Sequence, residues 1–79
     1  MPVREQLLDV VRLLVDSPEK VEIDELDEGE ETVFRMTVAD DDLGKVIGRQ
    51  GRTARALRTV LAARAGKGDR GYALEIVEI

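Results

Sequence analysis

Residues 44–52 read Gly44-Lys45-Val46-Ile47-Gly48-Arg49-Gln50-Gly51-Arg52, and they decide how the rest of the chain is understood. They lie between two stretches of helical periodicity. A short helix is predicted over residues 42–47, stopping at Gly48, and a longer one over residues 52–65. In the longer helix Ala54, Leu57, Val60, Leu61 and Ala65 gather on one side, with Arg52, Arg55 and Thr59 opposite. Two helices therefore meet across residues 48–51, with a glycine at each end of the connection. Glycine reaches backbone angles that other residues avoid and lets a ligand come close to the main chain. The second helix opens at this connection, so its free N–H groups and positive dipole end face outward. Lys45, Arg49 and Arg52 add positive side chains around it. Such a stretch is built to cradle phosphate.

Other glycine-rich phosphate loops are excluded by spacing. A Walker loop ends in Gly-Lys-Ser/Thr, whereas Gly44-Lys45 is followed by Val46 and Gly66-Lys67 by Gly68. A dinucleotide fingerprint ending in Gly48 and Gly51 would require a third glycine at position 46, where Val46 stands. It would also require a strand directly before the loop, and a helix is predicted there.

Moving outward, residues 3–15 carry Val3, Leu7, Val10, Val11 and Leu14 at helical spacing, with Pro2 suited to a first turn. Leu8 and Val15 widen the apolar stripe and Leu13 lies outside it, so the stripe is broader than a single packing face. Ser17-Pro18 ends the helix, because the residue before proline is pushed out of the α region. A strand is expected to start near Lys20, with Val21 and Ile23 alternating with Glu22 and Asp24. A second runs over residues 32–38, with Phe34, Met36 and Val38 on one face and Arg35 and Thr37 on the other. The acidic, glycine-containing stretch 27–31 joins them as a hairpin. Leu26 breaks the alternation, as a bulge or the strand's end would. Asp40, Asp41 and Asp42 precede the short helix and are expected to cap its positive end rather than hold a metal, since adjacent carboxylates rarely converge on one ion. After the long helix, Gly66-Lys67-Gly68 is a stop, and residues 72–79 form a last strand with Leu74 and Ile76 inward. The order is α-β-β-α-α-β.

Composition narrows the chemistry. The chain has 79 residues, one small domain over residues 1–79, with no cysteine and no histidine. Disulfides, thiolate nucleophiles and the commonest general base and metal ligand are thereby absent. Its only serine, Ser17, precedes a proline and has no base beside it. Hydrolase chemistry of the usual kinds is excluded, and no enzyme, cofactor or metal is expected. The longest apolar runs, residues 13–15 and 60–63, fall far short of the roughly 20 residues of a membrane span. The amino-terminal residues do not begin an export signal, and a cytoplasmic location is expected.

The net charge of −5 conceals an asymmetry. Residues 16–31 hold nine acids and one base, Lys20, whereas residues 45–70 hold eight bases and one acid, Asp69. A ligand responds to the local field within a Debye length of about 8 Å. Nine of the twelve bases are arginine, which suits forked phosphate contacts. Arg64 falls within the apolar arc of the long helix and reads as a rim residue; Arg58 lies near its edge, in either role. Phe34 and Tyr72 are the only aromatic residues, too few for the stacking platforms of RRM or OB-type sites.

The string Ile47-Gly48-Arg49-Gln50-Gly51-Arg52-Thr53-Ala54-Arg55-Ala56-Leu57 resembles the Ile-Gly-x-x-Gly-x-x-Ile-x-x-Ile motif of the KH domain, with Ala54 and Leu57 in place of the later isoleucines. The element order is that of the bacterial, type II form, and the resemblance extends end to end to small bacterial proteins with a single KH domain. It implies an α+β fold, a three-stranded mixed sheet with three helices on one face. It also implies a non-catalytic protein that binds single-stranded RNA. The GXXG loop of that family clamps the backbone of about four nucleotides. Carried over, the role falls on Gly48, Arg49, Gln50 and Gly51, flanked by Lys45, Arg52 and Arg55, with bases on an apolar floor that includes Val46, Ile47 and Ala54. The family further implies RNA-chaperone or post-transcriptional regulatory work, a homodimer, and pairing with a larger KH-domain protein. A core of this size without staples rarely supplies more than roughly 3–5 kcal/mol, which also favours association. The alternative is an adaptor whose arginine face meets an acidic protein.

Overall fold

The computed structural model describes residues 2–65 and 71–78. The chain folds in the order α1 (Val3–Leu14), β1 (Glu22–Asp27), β2 (Glu31–Thr37), α2 (Leu43–Ile47), α3 (Arg52–Ala65) and β3 (Gly71–Ile76). Short 3-10 turns stand at Pro18–Lys20, Asp40–Asp42 and Arg49–Gly51. The first of these delays β1, which begins at Glu22 rather than Lys20. The expected helix stop, Gly66-Lys67-Gly68, and Ile79 lie outside the described residues, and the last strand, expected over residues 72–79, ends at Ile76.

β1 and β2 pair antiparallel from Glu22↔Thr37 to Asp27↔Thr32 without interruption. Leu26 is therefore neither a bulge nor a strand end. It stands opposite Val33 on the open face of the sheet. β3 pairs in parallel with β2, from Glu31↔Gly71 to Met36↔Ile76, so β2 is central. The inward parity carries Ile23, Phe34, Met36 and Leu74, all buried. Leu7 and Val11 of α1, Val46 of α2, and Leu57 and Leu61 of α3 close over them in one cluster. All three helices thus cover one face of the mixed sheet. Phe34 packs against Tyr72, ring centroids 5.5 Å apart. Phe34 is only 1% exposed, so it serves the core and offers no stacking platform.

The other sheet face is open, and Arg35 bridges to Glu75 across β2 and β3 at 3.5 Å. Both free edges carry an arginine. Arg4 Nε donates to the Ile23 carbonyl on β1 at 2.7 Å, and Arg58 Nε and Nη2 donate to the Leu74 carbonyl on β3 at 3.4 and 3.3 Å. Covering an edge carbonyl with a charged side chain blunts strand addition. The position of Arg58, which its spacing leaves open, is settled as an edge contact.

One apolar expectation needs correction, and the surplus width expected of the α1 stripe finds its place. Val60, grouped by spacing with the inward side of α3, is 61% exposed, and Val10 of α1 is 46% exposed. Both line an apolar hollow between α1 and α3, with Leu7, Leu57 and Leu61 beneath and Arg64 at its margin. Arg64 thus has the rim position that its place in the arc predicts.

A parallel β2–β3 pair requires the chain to return along the sheet before β3 can start. Residues 38–70 make that return. Glu31 pairs with Gly71, so the hairpin tip and the carboxyl end of α3 share one end of the molecule. The fourteen residues of α3 place the loop before it about 21 Å away at 1.5 Å per residue. The acidic hairpin and the arginine-rich loop lie at opposite ends and do not neutralise each other.

Candidate nucleic-acid interface

Three of the four residues between α2 and α3 have positive φ: Gly48 (78°), Gln50 (57°) and Gly51 (74°). Gly48 ends α2 by donating its N–H to the Gly44 carbonyl at 2.8 Å, and its ψ of 169° takes the chain sharply out of the helix. That combination is open to glycine almost alone. A Cβ at Gly48 would also press on the Thr53 hydroxyl and stand 2.7 Å from the Thr53 backbone nitrogen. Gly51 N–H donates to the Gly48 carbonyl at 3.1 Å and closes the turn. A Cβ at Gly51 would meet nothing within 4 Å, so its glycine answers to backbone angle alone. Gln50 holds a left-handed conformation with a side chain, which costs on the order of 1–2 kcal/mol against the right-handed region.

Around this turn Arg49, Gln50, Arg52 and Arg55 are exposed. Arg52 Nη2 reaches Gln50 Oε1 at 3.5 Å. Among the described residues, Arg49 and Arg55 enter no ion pair. Arg52 and Arg55 share a shallow hollow on the outer side of α3 with Ala56 and Thr59. The positive dipole end of α3 is directed to the same place, although the Arg52 N–H is spent on the Arg49 carbonyl. The arrangement can hold successive anionic groups along a strand.

The proposed floor is only partly available. Val46 is fully buried and Ala54 is 3% exposed, so both belong to the core and cannot carry a base. Ile47 is half-buried at the loop and remains as an accessible apolar surface. Lys45 stands apart from the arginines: its ammonium lies 2.9 Å from Asp16 Oδ2 and 3.7 Å from Asp42 Oδ1.

The three aspartates before α2 also differ from expectation. None caps that helix with its side chain. Asp40 and Asp41 are exposed, while Asp42 is 1% exposed. Its Oδ1 and Oδ2 accept the N–H groups of Asp16 and Ser17, each at 3.0 Å. It therefore satisfies the backbone leaving α1, a distant partner that local spacing does not announce. The Asp16 N–H foremost, then the Ser17 N–H and the Lys45 ammonium, hold its carboxyl below the ordinary 3.8, against the opposing effect of burial. Hydrogen bonding and attraction to Asp16 raise the Lys45 ammonium above its usual value. Among the described residues no His, Cys, Asp and Glu side chains group to hold a metal, and no helix is long and apolar enough to cross a membrane.

A family model described as "KhpA/KhpB, KH domain" matches residues 4–76. The chain belongs to this family. KhpA/KhpB KH domains are non-enzymatic, and the fold and the αββααβ order found here are theirs. A relative named "RNA-binding protein KhpA" from Halalkalibacterium halodurans is 45% identical over 69 residues, covering 87% of this chain and 91% of the relative. Relatives of the same name are 40% identical in Chlamydia trachomatis, over 75 residues (95% and 96% of the two chains), and in Listeria monocytogenes, over 74 residues (94% and 97%). No solved structure matches the chain significantly.

The backbone of the turn and the buried carboxylate each generate a prediction. Gly48→Ala must displace Thr53 as well as adopt a forbidden backbone angle, so it should lower stability by more than about 2 kcal/mol. Gly51→Ala should cost only about 1 kcal/mol. Urea unfolding of the two variants measures the difference, and equal losses would contradict the role given to Thr53. The second concerns acid. A carboxyl held below its ordinary value stabilises the fold fully above that value and loses this contribution as pH falls through its folded pKa. Asp42→Asn should therefore be less stable than the parent at pH 7, with the gap narrowing below pH 3.8. Thermal melts across acid pH give the comparison.

Proposed function

We propose that this chain binds single-stranded RNA without catalysis, through the turn formed by Gly48, Arg49, Gln50 and Gly51. The observation that carries this reading is the run of positive φ angles at Gly48, Gln50 and Gly51 beside arginines without ion pairs. Such a turn exposes main chain to a close partner, and the arginines supply charge-assisted contacts to its phosphates. The names of the relatives support RNA as that partner. Arg49, Arg52 and Arg55 follow the backbone while Ile47 meets a base. A span of about four nucleotides and one small apolar contact give a single copy modest affinity. The acidic hairpin, at the far end, repels the strand and leaves the arginine end as its landing surface.

Replacing Arg49 and Gln50 together by aspartate puts two negative charges where phosphates would lie. Both positions are exposed, so the melting temperature should hardly change. Binding of a labelled single-stranded RNA, read by fluorescence anisotropy, should be lost, and a perfect RNA duplex should compete poorly with the parent. Undiminished binding by the folded variant would overturn the assignment.

The working unit in this reading is a dimer in the cytoplasm, taking part in post-transcriptional regulation or RNA chaperoning. The hollow between α1 and α3, with Val10 and Val60 exposed beside it, offers apolar surface for a second KH domain. The family's joint name supports a KhpB-like protein as an alternative partner. Two joined grooves gain avidity by a factor on the order of 10²–10⁴ when one strand spans both. Sedimentation at micromolar concentration should show a homodimer. A strict monomer that still binds a short strand tightly would contradict this.

A further inference from the structure

The sequence pattern groups Lys45 with the phosphate contacts, but its surroundings do not suit that role. Its ammonium faces two carboxylates, Asp16 at 2.9 Å and Asp42 at 3.7 Å. One positive charge between two negative ones leaves the trio negative, so a phosphate approaching Lys45 meets net repulsion. Recruiting Lys45 to RNA would also break the ion pairs and strip a buried carboxylate of its counter-charge, which is costly.

The same trio stands at a mechanically sensitive place. α2 has five residues, far fewer than the roughly 12–15 that a helix needs to be even marginally stable alone. Its direction must be imposed from outside. One end runs into the Gly48 turn. At the other, the Asp42 carboxylate uses both oxygens to grip the Asp16 and Ser17 N–H groups where the chain leaves α1. Lys45, one turn along α2, reaches back to Asp16 and fastens the helix to that same segment. Val46 beside it is fixed in the core.

We propose that Asp42 and Lys45 are positioning residues: with Asp16 they latch α2 to the segment that leaves α1, and so set the geometry of the 48–51 turn, while Lys45 makes no contact with phosphate. The proposal rests on that turn being the RNA site, and its test separates the two.

Three single variants, Lys45→Met, Asp42→Asn and Arg49→Ala, are compared with the parent well below their melting temperatures. The affinity for a labelled single-stranded RNA is measured across a range of salt. Removing one phosphate ligand should flatten the slope of log K against log salt by about 0.7. Arg49→Ala should show that flattening. Lys45→Met and Asp42→Asn should weaken binding severalfold with the parent's slope intact, and Lys45→Arg, which keeps the ion pair with Asp16, should recover most of the affinity. Without RNA, amide exchange at residues 48–51 should quicken in Lys45→Met and Asp42→Asn but not in Arg49→Ala. If Lys45→Met flattens the slope as Arg49→Ala does, Lys45 is a phosphate ligand and the proposal fails. Unchanged amide exchange in the turn would also overturn it. If the parent itself binds no RNA, the RNA reading falls, and the exchange measurement still decides whether the latch holds the turn.

Discussion

The parallel pairing of β2 with β3 governs the arrangement of the whole molecule. Antiparallel neighbours can be joined by a tight turn, as β1 and β2 are, but parallel neighbours cannot. The chain must travel back along the sheet, and it does so over one face as α2, the Gly48 turn and α3. Arg49, Arg52 and Arg55, all exposed, lie on that return path. Because Glu31 pairs with Gly71, the register also fixes which end of the sheet the turn occupies. The acidic hairpin is held at the other end. The distance between the hairpin acids and the turn arginines is thus a consequence of strand order, although Asp16 of the acidic stretch pairs with Lys45, and the low net charge does not prevent a locally basic surface.

The return path is economical in what it commits to the core. Val46, Leu57 and Leu61 are buried against the sheet, while the side chains at the turn itself stay in solvent. Gly48 allows this division. Its backbone leaves α2 at an angle that a Cβ would prohibit, and Thr53 fills the space where that Cβ would stand. The turn is therefore shaped from beneath by packing and from behind by the Asp16–Asp42–Lys45 trio. A five-residue helix between two such restraints takes its direction from both ends. The arginines can then be placed by main-chain geometry without being packed themselves.

Much of this was legible in the residues. Periodicity of 3.6 and of 2 marks the helices and strands, and the glycines at positions 48 and 51 mark the turn, because only particular backbone angles make glycine necessary at such spacing. Other features were hidden because they depend on distant neighbours. Leu26 looks like an interruption in β1 until Val33 is seen opposite it on the open face. Val60 sits among apolar neighbours in the helical pattern, yet it faces the open hollow between α1 and α3 and stays exposed. Three successive aspartates are indistinguishable as a string. Asp42 alone turns inward, because the N–H groups of Asp16 and Ser17 happen to face it.

Read alone, the residues specify the element order, the position of the glycine turn between the last two helices and the polarity of charge along the chain. These are encoded in local propensity and in spacing, which need no knowledge of what lies across the core. Tertiary structure alone decided which bases are free. Arg58 is spent on the β3 edge, Lys45 is paired with two carboxylates, and Arg49 and Arg55 are left in solvent. It likewise moved Val46 and Ala54 from groove floor to core. A charge or a methyl group acquires its role from what surrounds it within a few ångströms, and for these residues the surroundings come from segments remote along the chain.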